Sequence, residues 1–275
     1  MYFLFGQCDV KANSPSERKL VEFASFAHLD IEVYGMYTYC AGSYIDSYWI
    51  VTTAHCLDLN KRGPTKLGEQ DRIMVIMGIA IHYESNPGRQ WRKSVKLVVH
   101  PKYYTEKQEE KSLKDTDRKQ YDIGMIKLDR AFEITEKVAV GLIPLFIPEN
   151  THFSVLNYLF DEMELTDCVV SLTLIVCKYD DFEKIDGAPI YLSENKQIVG
   201  IVGGNNPGEY NVNVINYRDW IQNVTTRKLP VYKPKLGESL VRRFTGTSVN
   251  KCCTTLNRFY VTFYSFFLIL RNILS

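Results

Sequence analysis

Short apolar runs broken by turns fill the chain from about residue 21 to residue 220, and they constrain its fold more than any other feature. The runs are Phe26–Val33, Tyr44–Thr52, Ile73–Tyr83, Val95–Val99, Ile123–Leu128, Val169–Val176 and Gln197–Gly203. Their β-branched and aromatic residues favour strands. A helical period occurs only over 216–224, where apolar residues line one face. We therefore expect an all-β barrel or sandwich with one helix near its C-terminal end.

The size and charge of the chain limit the classes of protein it can belong to and the kinds of partner it can bind. It has 275 residues, of which 45% are apolar, enough for a sizeable core. Its 33 basic and 32 acidic residues leave a formal charge of +1. We therefore expect no nucleic-acid partner, because nothing attracts a polyanion to the chain as a whole. Histidines and cysteines are scattered without metal-ligand spacing, so we expect no metal and no cofactor.

The two ends of the chain differ from its middle. Residues 1–5 are apolar, but no basic region and no apolar stretch of about 7–15 residues makes a secretory signal. Either the true start is missing or the protein stays inside the cell, and we favour a missing start. Phe259–Leu270 is shorter than the roughly 20 apolar residues of a membrane span. It is an irregular tail, a membrane or lipid anchor that would provide membrane contact, or a docked strand or helix.

Three segments carry residues of types that can serve in catalysis. Trp49–Cys56 reads Trp-Ile-Val-Thr-Thr-Ala-His-Cys and contains His55. Tyr121–Leu128 reads Tyr-Asp-Ile-Gly-Met-Ile-Lys-Leu and contains Asp122. The third, Lys184–Pro189, reads Lys-Ile-Asp-Gly-Ala-Pro. A histidine held by an aspartate can act as a general base toward a nucleophile.

These segments resemble the trypsin/chymotrypsin-type (S1 family) serine proteases, whose corresponding stretches read Trp-Val-Leu-Thr-Ala-Ala-His-Cys, Asn-Asp-Ile-Ala-Leu-Leu-Lys-Leu and Gly-Asp-Ser-Gly-Gly-Pro. The likeness runs from about Val21 to Val224. Further matching stretches are Cys40–Ile45, Val99–Tyr103, Ile198–Val202, Pro207–Tyr210 and Tyr217–Ile221. The resemblance implies two six-stranded antiparallel β-barrels with a C-terminal helix, forming a homology domain over residues 21–228. An N-terminal segment, 1–20, would precede it and a tail, 229–275, would follow.

The resemblance also implies a triad whose histidine is His55 and whose aspartate is Asp122. The third segment departs from the family pattern: Asp186 stands where the nucleophilic serine belongs. Lys184 replaces the glycine that helps to form the oxyanion hole, and Ile185 replaces the aspartate that pairs with the new N-terminus. In a second alignment the serine is deleted and Asp186 is that aspartate. A carboxylate near His55 would favour the imidazolium and raise the pKa of the histidine.

Two further positions have competing interpretations. Asp180 lies six residues before Asp186, where trypsin-like enzymes hold an acidic residue at the bottom of the specificity pocket. Because Phe182 stands where the family has a cysteine, an exposed turn is the alternative to a working pocket. Asn223 begins an Asn-Val-Thr sequon, a weak signal for glycosylation.

The chain has seven cysteines, an odd number that leaves at least one thiol unpaired within a monomer. The resemblance implies one disulfide between Cys40 and Cys56 and a second between Cys168 and Cys177. Two such bridges favour a secreted, extracellular protein. No clear partner can be assigned to the remaining cysteines, Cys8, Cys252 and Cys253.

These observations give three hypotheses for function. The favoured one is a catalytically inactive homologue that acts as a binding or regulatory module on a protein partner, either a protease or its substrate. The second is an active serine-type endopeptidase with a different nucleophile. The third is a decaying paralogue with no selected role.

Overall fold

We describe the chain from a computed structural model. The described residues are 15–33, 35–58, 72–80, 88–103, 120–149, 151–156, 161–165, 168–177, 185–203 and 210–226. By compactness the chain divides into Met1–Tyr232 and Lys233–Ser275, and every described residue belongs to the first unit. The predicted limits of the three segments stay predictions. Among the described residues, no helix is long and apolar enough to cross a membrane.

The first half of the domain is a closed antiparallel barrel of six strands. They are β1 (Phe26–Val33), β2 (Met36–Asp46), β3 (Trp49–Thr52), β4 (Arg72–Met77), β5 (Gln90–Val99) and β6 (Gly124–Leu128). They pair in the order β1-β2-β3-β6-β5-β4. Fully buried aliphatic side chains fill one interior cluster, among them Leu29, Ile31, Ile50, Val75 and Ile126. Burying that apolar area drives the barrel to close.

The second half is an antiparallel sheet of seven strands. They are β7 (Phe153–Leu156), β8 (Glu162–Leu165), β9 (Val169–Val170), β10 (Leu174–Val176), β11 (Pro189–Leu192), β12 (Ile198–Val202) and β13 (Tyr210–Asn213). Their order is β8-β7-β11-β12-β13-β10-β9. The sequence predicted six strands in this half, and the described residues provide seven because β9 and β10 form a short hairpin. Every residue of β12 is buried, as its unbroken apolar run requires.

Helices occupy few of the described residues. They are α1 (Pro15–Glu22), α2 (Ala54–Leu57), a 3₁₀ turn (Val214–Tyr217) and α3 (Arg218–Thr225). The Asn213 side chain caps the 3₁₀ turn by accepting a hydrogen bond from the Ile215 N–H at 3.2 Å. Ile221 on α3 is fully buried against the second sheet's core. The predicted all-β architecture with a C-terminal helix is confirmed.

One tight turn of the second half, residues 185–188, contacts the first barrel. The Ala188 N–H donates to the Ile185 carbonyl at 3.0 Å, and the Asp186 carbonyl accepts from the Ala41 N–H at 2.8 Å. Gly187 has φ +80°, the left-handed value that the third position of a type II turn requires. A Cβ on Gly187 would lie closer than 3.0 Å to the Ala41 carbonyl oxygen and to the Thr52 hydroxyl. Glycine therefore lets this turn approach the first barrel.

Candidate active-site region

His55 is fixed by the buried side chain of Asp122. His55 lies on α2, directly after β3, and Asp122 lies two residues before β6, which pairs with β3. The His55 Nδ1 is 2.7 Å from Asp122 Oδ2, and the His55 backbone N–H donates to Oδ1 at 2.8 Å. Because Asp122 is only 2% exposed, these two donors take the place of water as hydrogen-bond partners of its carboxylate. These two contacts fix the position and the orientation of the imidazole ring.

The structure brings Asp186 to the opposite nitrogen of the same ring. Asp186 Oδ2 lies 3.2 Å from His55 Nε2. The site is open on this side, since the side chains of His55 and Asp186 are 30% and 26% exposed. This position against Nε2 is the one a nucleophile would take, and it favours the alignment that places Asp186 at the serine position. Three of the predicted site residues thus form one line: Asp122, His55 and Asp186.

Two carboxylates around one imidazole control its charge. Burial lowers the pKa of His55, but the charge and hydrogen bond of Asp122, followed by those of Asp186, outweigh burial and raise the pKa to about 10. The ring therefore carries a proton on both nitrogens at neutral pH. A doubly protonated ring has no lone pair with which to take a proton from a nucleophile.

The second carboxylate oxygen of Asp186, Oδ1, has no counterpart to the contact that Oδ2 makes with His55. Asp186 Oδ1 is buried, and no hydrogen-bond donor within the described ranges reaches it. Beside it, Ile185 is 7% exposed and belongs to the apolar core. An aliphatic side chain at that position cannot pair with a charged N-terminus.

A packing group behind Asp122 was missed in the sequence analysis. His100 stacks on Tyr121 with ring centroids 5.0 Å apart and packs against Trp220 of α3 at 5.1 Å. Burial, followed by the charge of Lys102, lowers the pKa of His100 to about 4, so the ring is neutral. These ring contacts hold Tyr121, the residue before Asp122, in place. The Val-His-Pro-Lys-Tyr motif was its only sequence signal.

The structure describes some of the other residues predicted from the sequence and leaves others outside the described ranges. Cys40–Cys56 and Cys168–Cys177 both form disulfides. Asn223 is exposed on α3. No group of side chains that could hold a metal ion occurs in the described part of the chain. Positions that lie outside the described residues are Asp180, Lys184, Cys8, Cys252, Cys253 and Phe259–Leu270.

Comparisons with known proteins identify the family of the chain. A family model described as Trypsin matches residues 21–156. Trypsin-3 of Homo sapiens is 27% identical in an alignment of 222 positions that covers 67% of this chain and 64% of trypsin-3. The chain is a trypsin-like (S1 family) serine protease homologue. Serine protease 1 of Canis lupus familiaris is 29% identical over 112 residues, or 41% of this homologue and 36% of that protein. The chain thus spans less than two thirds of the length of these curated relatives.

A solved structure supports the chymotrypsin-like fold of this homologue. The structure titled "Structure of GrC" matches with a TM-score of 0.57 and 16% sequence identity. The match covers 75% of this homologue and 96% of that chain. The predicted fold class is therefore confirmed. The family match at residues 21–156 includes His55 and Asp122 and ends before Asp186.

Proposed function

We propose that this homologue is a catalytically inactive protein that works outside the cell as a binding or regulatory module. The single observation that carries the proposal is the Asp186 carboxylate, 3.2 Å from His55 Nε2. Peptide hydrolysis on this frame needs a hydroxyl or thiol at that point and a neutral histidine to deprotonate it. Here the atom is a carboxylate oxygen and the histidine is an imidazolium.

Asp186 is a poor replacement for the missing serine. A carboxylate attacks amides weakly, and its acyl product would be a mixed anhydride. Ser193 is the next serine along the chain, but the four-residue strand β11 separates it from the turn, roughly 13 Å at about 3.3 Å per residue. Ser193 therefore does not supply the nucleophile.

The extracellular location and the kind of partner are part of the same proposal. Two disulfides in one domain favour an oxidising compartment. A protease-like surface without hydrolysis would bind either a protease or its substrate and leave it intact. Membrane contact through residues 259–270 would add a way of holding that partner at a surface.

The second candidate is a serine-type endopeptidase, which the retained His55–Asp122 geometry favours. It requires a nucleophile that the described residues do not place against Nε2. A decayed paralogue is the third, and it predicts that the expressed chain fails to unfold cooperatively.

Labelling with a fluorophosphonate probe tests the proposal. The expected result is no labelling of the folded protein at a probe concentration that labels trypsin completely. His55→Ala is the matched control, and it should be equally unlabelled. Stoichiometric labelling of the wild type that disappears on mutation of one serine would overturn the proposal in favour of the endopeptidase.

A further inference from the structure

A cavity of about 360 Å³ lies on the first barrel, between the start of β5 and the segment that follows β6. Its charged and aromatic lining comprises Arg89, Trp91, Arg92, Arg130 and Glu133. Three guanidinium groups and one carboxylate therefore line the cavity, and the nearby Asp129 carboxylate also acts on the charge of Arg92. The whole chain is nearly neutral, so this is a local excess of positive charge.

Arg92 forms the fixed part of the cavity. Its Nε donates to the Ala131 carbonyl at 2.8 Å and its Nη1 to the Trp91 carbonyl at 2.7 Å. Its guanidinium carbon is 4.6 Å from the centre of the buried Phe132 ring. Burial, followed by the nearby charge of Arg130, lowers the pKa of Arg92. Two cations are thus held close together, an arrangement that a bound anion would relieve.

The other two arginines are exposed and available to a ligand. The guanidinium carbon of Arg130 lies 5.8 Å from the centre of the Trp91 ring, and the Trp91 side chain is 43% exposed. Within the described ranges, no carboxylate forms an ion pair with the side chain of Arg89 or Arg130. The cavity thus combines the exposed guanidinium groups of Arg89 and Arg130 with the apolar face of the Trp91 ring.

We propose that this cavity binds an acidic peptide segment of a protein partner, one that carries an apolar or aromatic side chain between its carboxylates. Guanidinium groups pair with carboxylates through two parallel hydrogen bonds, and Trp91 offers a flat surface for the apolar side chain. The volume lies in the range of cavities that enclose a few side chains. Because Glu133 is among the lining residues, a ligand whose carboxylates are interrupted by apolar side chains fits better than a uniform polyanion such as nucleic acid or a sulfated polysaccharide.

The cavity is distinct from the His55 site. Antiparallel pairing places Val99 opposite Gly124, close to Asp122, whereas Ser94 lies opposite Leu128. Asp122 precedes β6 by two residues and Arg130 follows it by two, so the five-residue strand, roughly 17 Å at about 3.3 Å per residue, separates them. The inference names a chemistry for the protein partner of the proposed function, but it does not need the His55 site to be inactive.

The test is fluorescence anisotropy with the full chain and a fluorescein-labelled peptide of about twelve residues that alternates Glu with Phe. We expect saturable binding that weakens as NaCl rises from low to about 0.3 M, because salt screens exposed charges. A peptide with Gln in place of Glu should not bind. The double variant Arg89→Ala/Arg130→Ala should bind roughly tenfold more weakly. Both arginines are exposed, so the fold should survive, which a thermal melt checks.

Arg18→Ala on α1 is the matched control, since it removes an exposed arginine that is not among the residues lining the cavity. It should leave the anisotropy curve unchanged. Equal affinities for the control and the double variant would overturn the proposal, as would heparin or duplex DNA displacing the peptide at lower concentration. Because fluorophosphonate labelling reports on the His55 site alone, failure of the proposed inactivity would be visible separately.

Discussion

The two halves of the domain hold their parts of the site in different ways. The first barrel holds His55 and Asp122 with two hydrogen bonds to a carboxylate that is 2% exposed. The second half contributes Asp186, whose side chain is 26% exposed, through one contact of 3.2 Å to His55. Barrel packing therefore maintains the histidine–aspartate pair whether or not a nucleophile faces it. A retained pair is consequently weak evidence for catalysis.

The turn at Gly187 is the exception, because it belongs to the second half but is fitted tightly to the first. We expect Gly187→Ala to destabilise the protein by about 3–5 kcal/mol, since a Cβ would meet the Ala41 carbonyl and the Thr52 hydroxyl while the backbone is left-handed. Urea unfolding followed by circular dichroism measures the loss.

Gly35→Ala is the matched control for Gly187→Ala. Gly35 has nearly the same φ, +78°, but nothing lies within 4 Å of a Cβ added there. Backbone strain alone should cost about 1–2 kcal/mol. Equal losses in the free energy of unfolding of the two variants would show that the turn is not tightly packed against the first barrel. The turn would then no longer be an exception to the looser attachment of the second half.

Removing the carboxylate of Asp122 and removing that of Asp186 should change the stability of the protein by different amounts. Asp122→Ala should cost about 3 kcal/mol at neutral pH, because it leaves the His55 N–H and Nδ1–H without their buried acceptor. Asp186→Ala should change stability by less than about 1 kcal/mol, since its ion pair is partly exposed and its Oδ1 has no donor in the described part of the chain. Similar losses from both substitutions would contradict the proposed difference between the halves.

The charge of His55 gives a pH-dependent contrast. Its pKa is raised to about 10 in the folded protein from an ordinary value of 6.5. The resulting stabilisation is fully present below about pH 6.5 and is lost as the pH rises toward 10. The stability advantage of the wild type over Asp186→Asn, about 1 kcal/mol at pH 6, should therefore decline across this window. A His55 that titrates near 6.5 by NMR would contradict the two-carboxylate site.

Local sequence predicted the first half of the site better than the second. Trp49–Cys56 and Tyr121–Leu128 are regular strands and their ends, so their motifs place His55 and Asp122 directly. The distance between Asp186 and His55 depends on how a turn of the second half docks on Ala41, and local sequence left two alignments open. The arginine cavity was missed because Arg89 and Arg130 are 41 residues apart in sequence and meet only through the pairing of β5 with β6.

The smallest expected effect is that of restoring the serine alone. We expect Asp186→Ser to remain unlabelled by fluorophosphonate and to hydrolyse no peptide substrate. The substitution returns a hydroxyl to Nε2 and, by removing one carboxylate, favours a neutral His55. However, Ile185 stays buried in the apolar core, where the family has the aspartate that pairs with the new N-terminus, and Lys184 still replaces the oxyanion-hole glycine.

A graded series sharpens this expectation. Lys184→Gly/Ile185→Asp/Asp186→Ser restores the three family residues together, and Asp186→Asn is the control that removes the charge without adding a nucleophile. If Asp186→Ser alone is labelled, the second half lacks only its nucleophile, and the oxyanion hole forms without its glycine. If only the triple variant is labelled, the two halves differ by several cooperating residues, because an oxyanion hole contributes to catalysis only when its donors are positioned before the reaction begins.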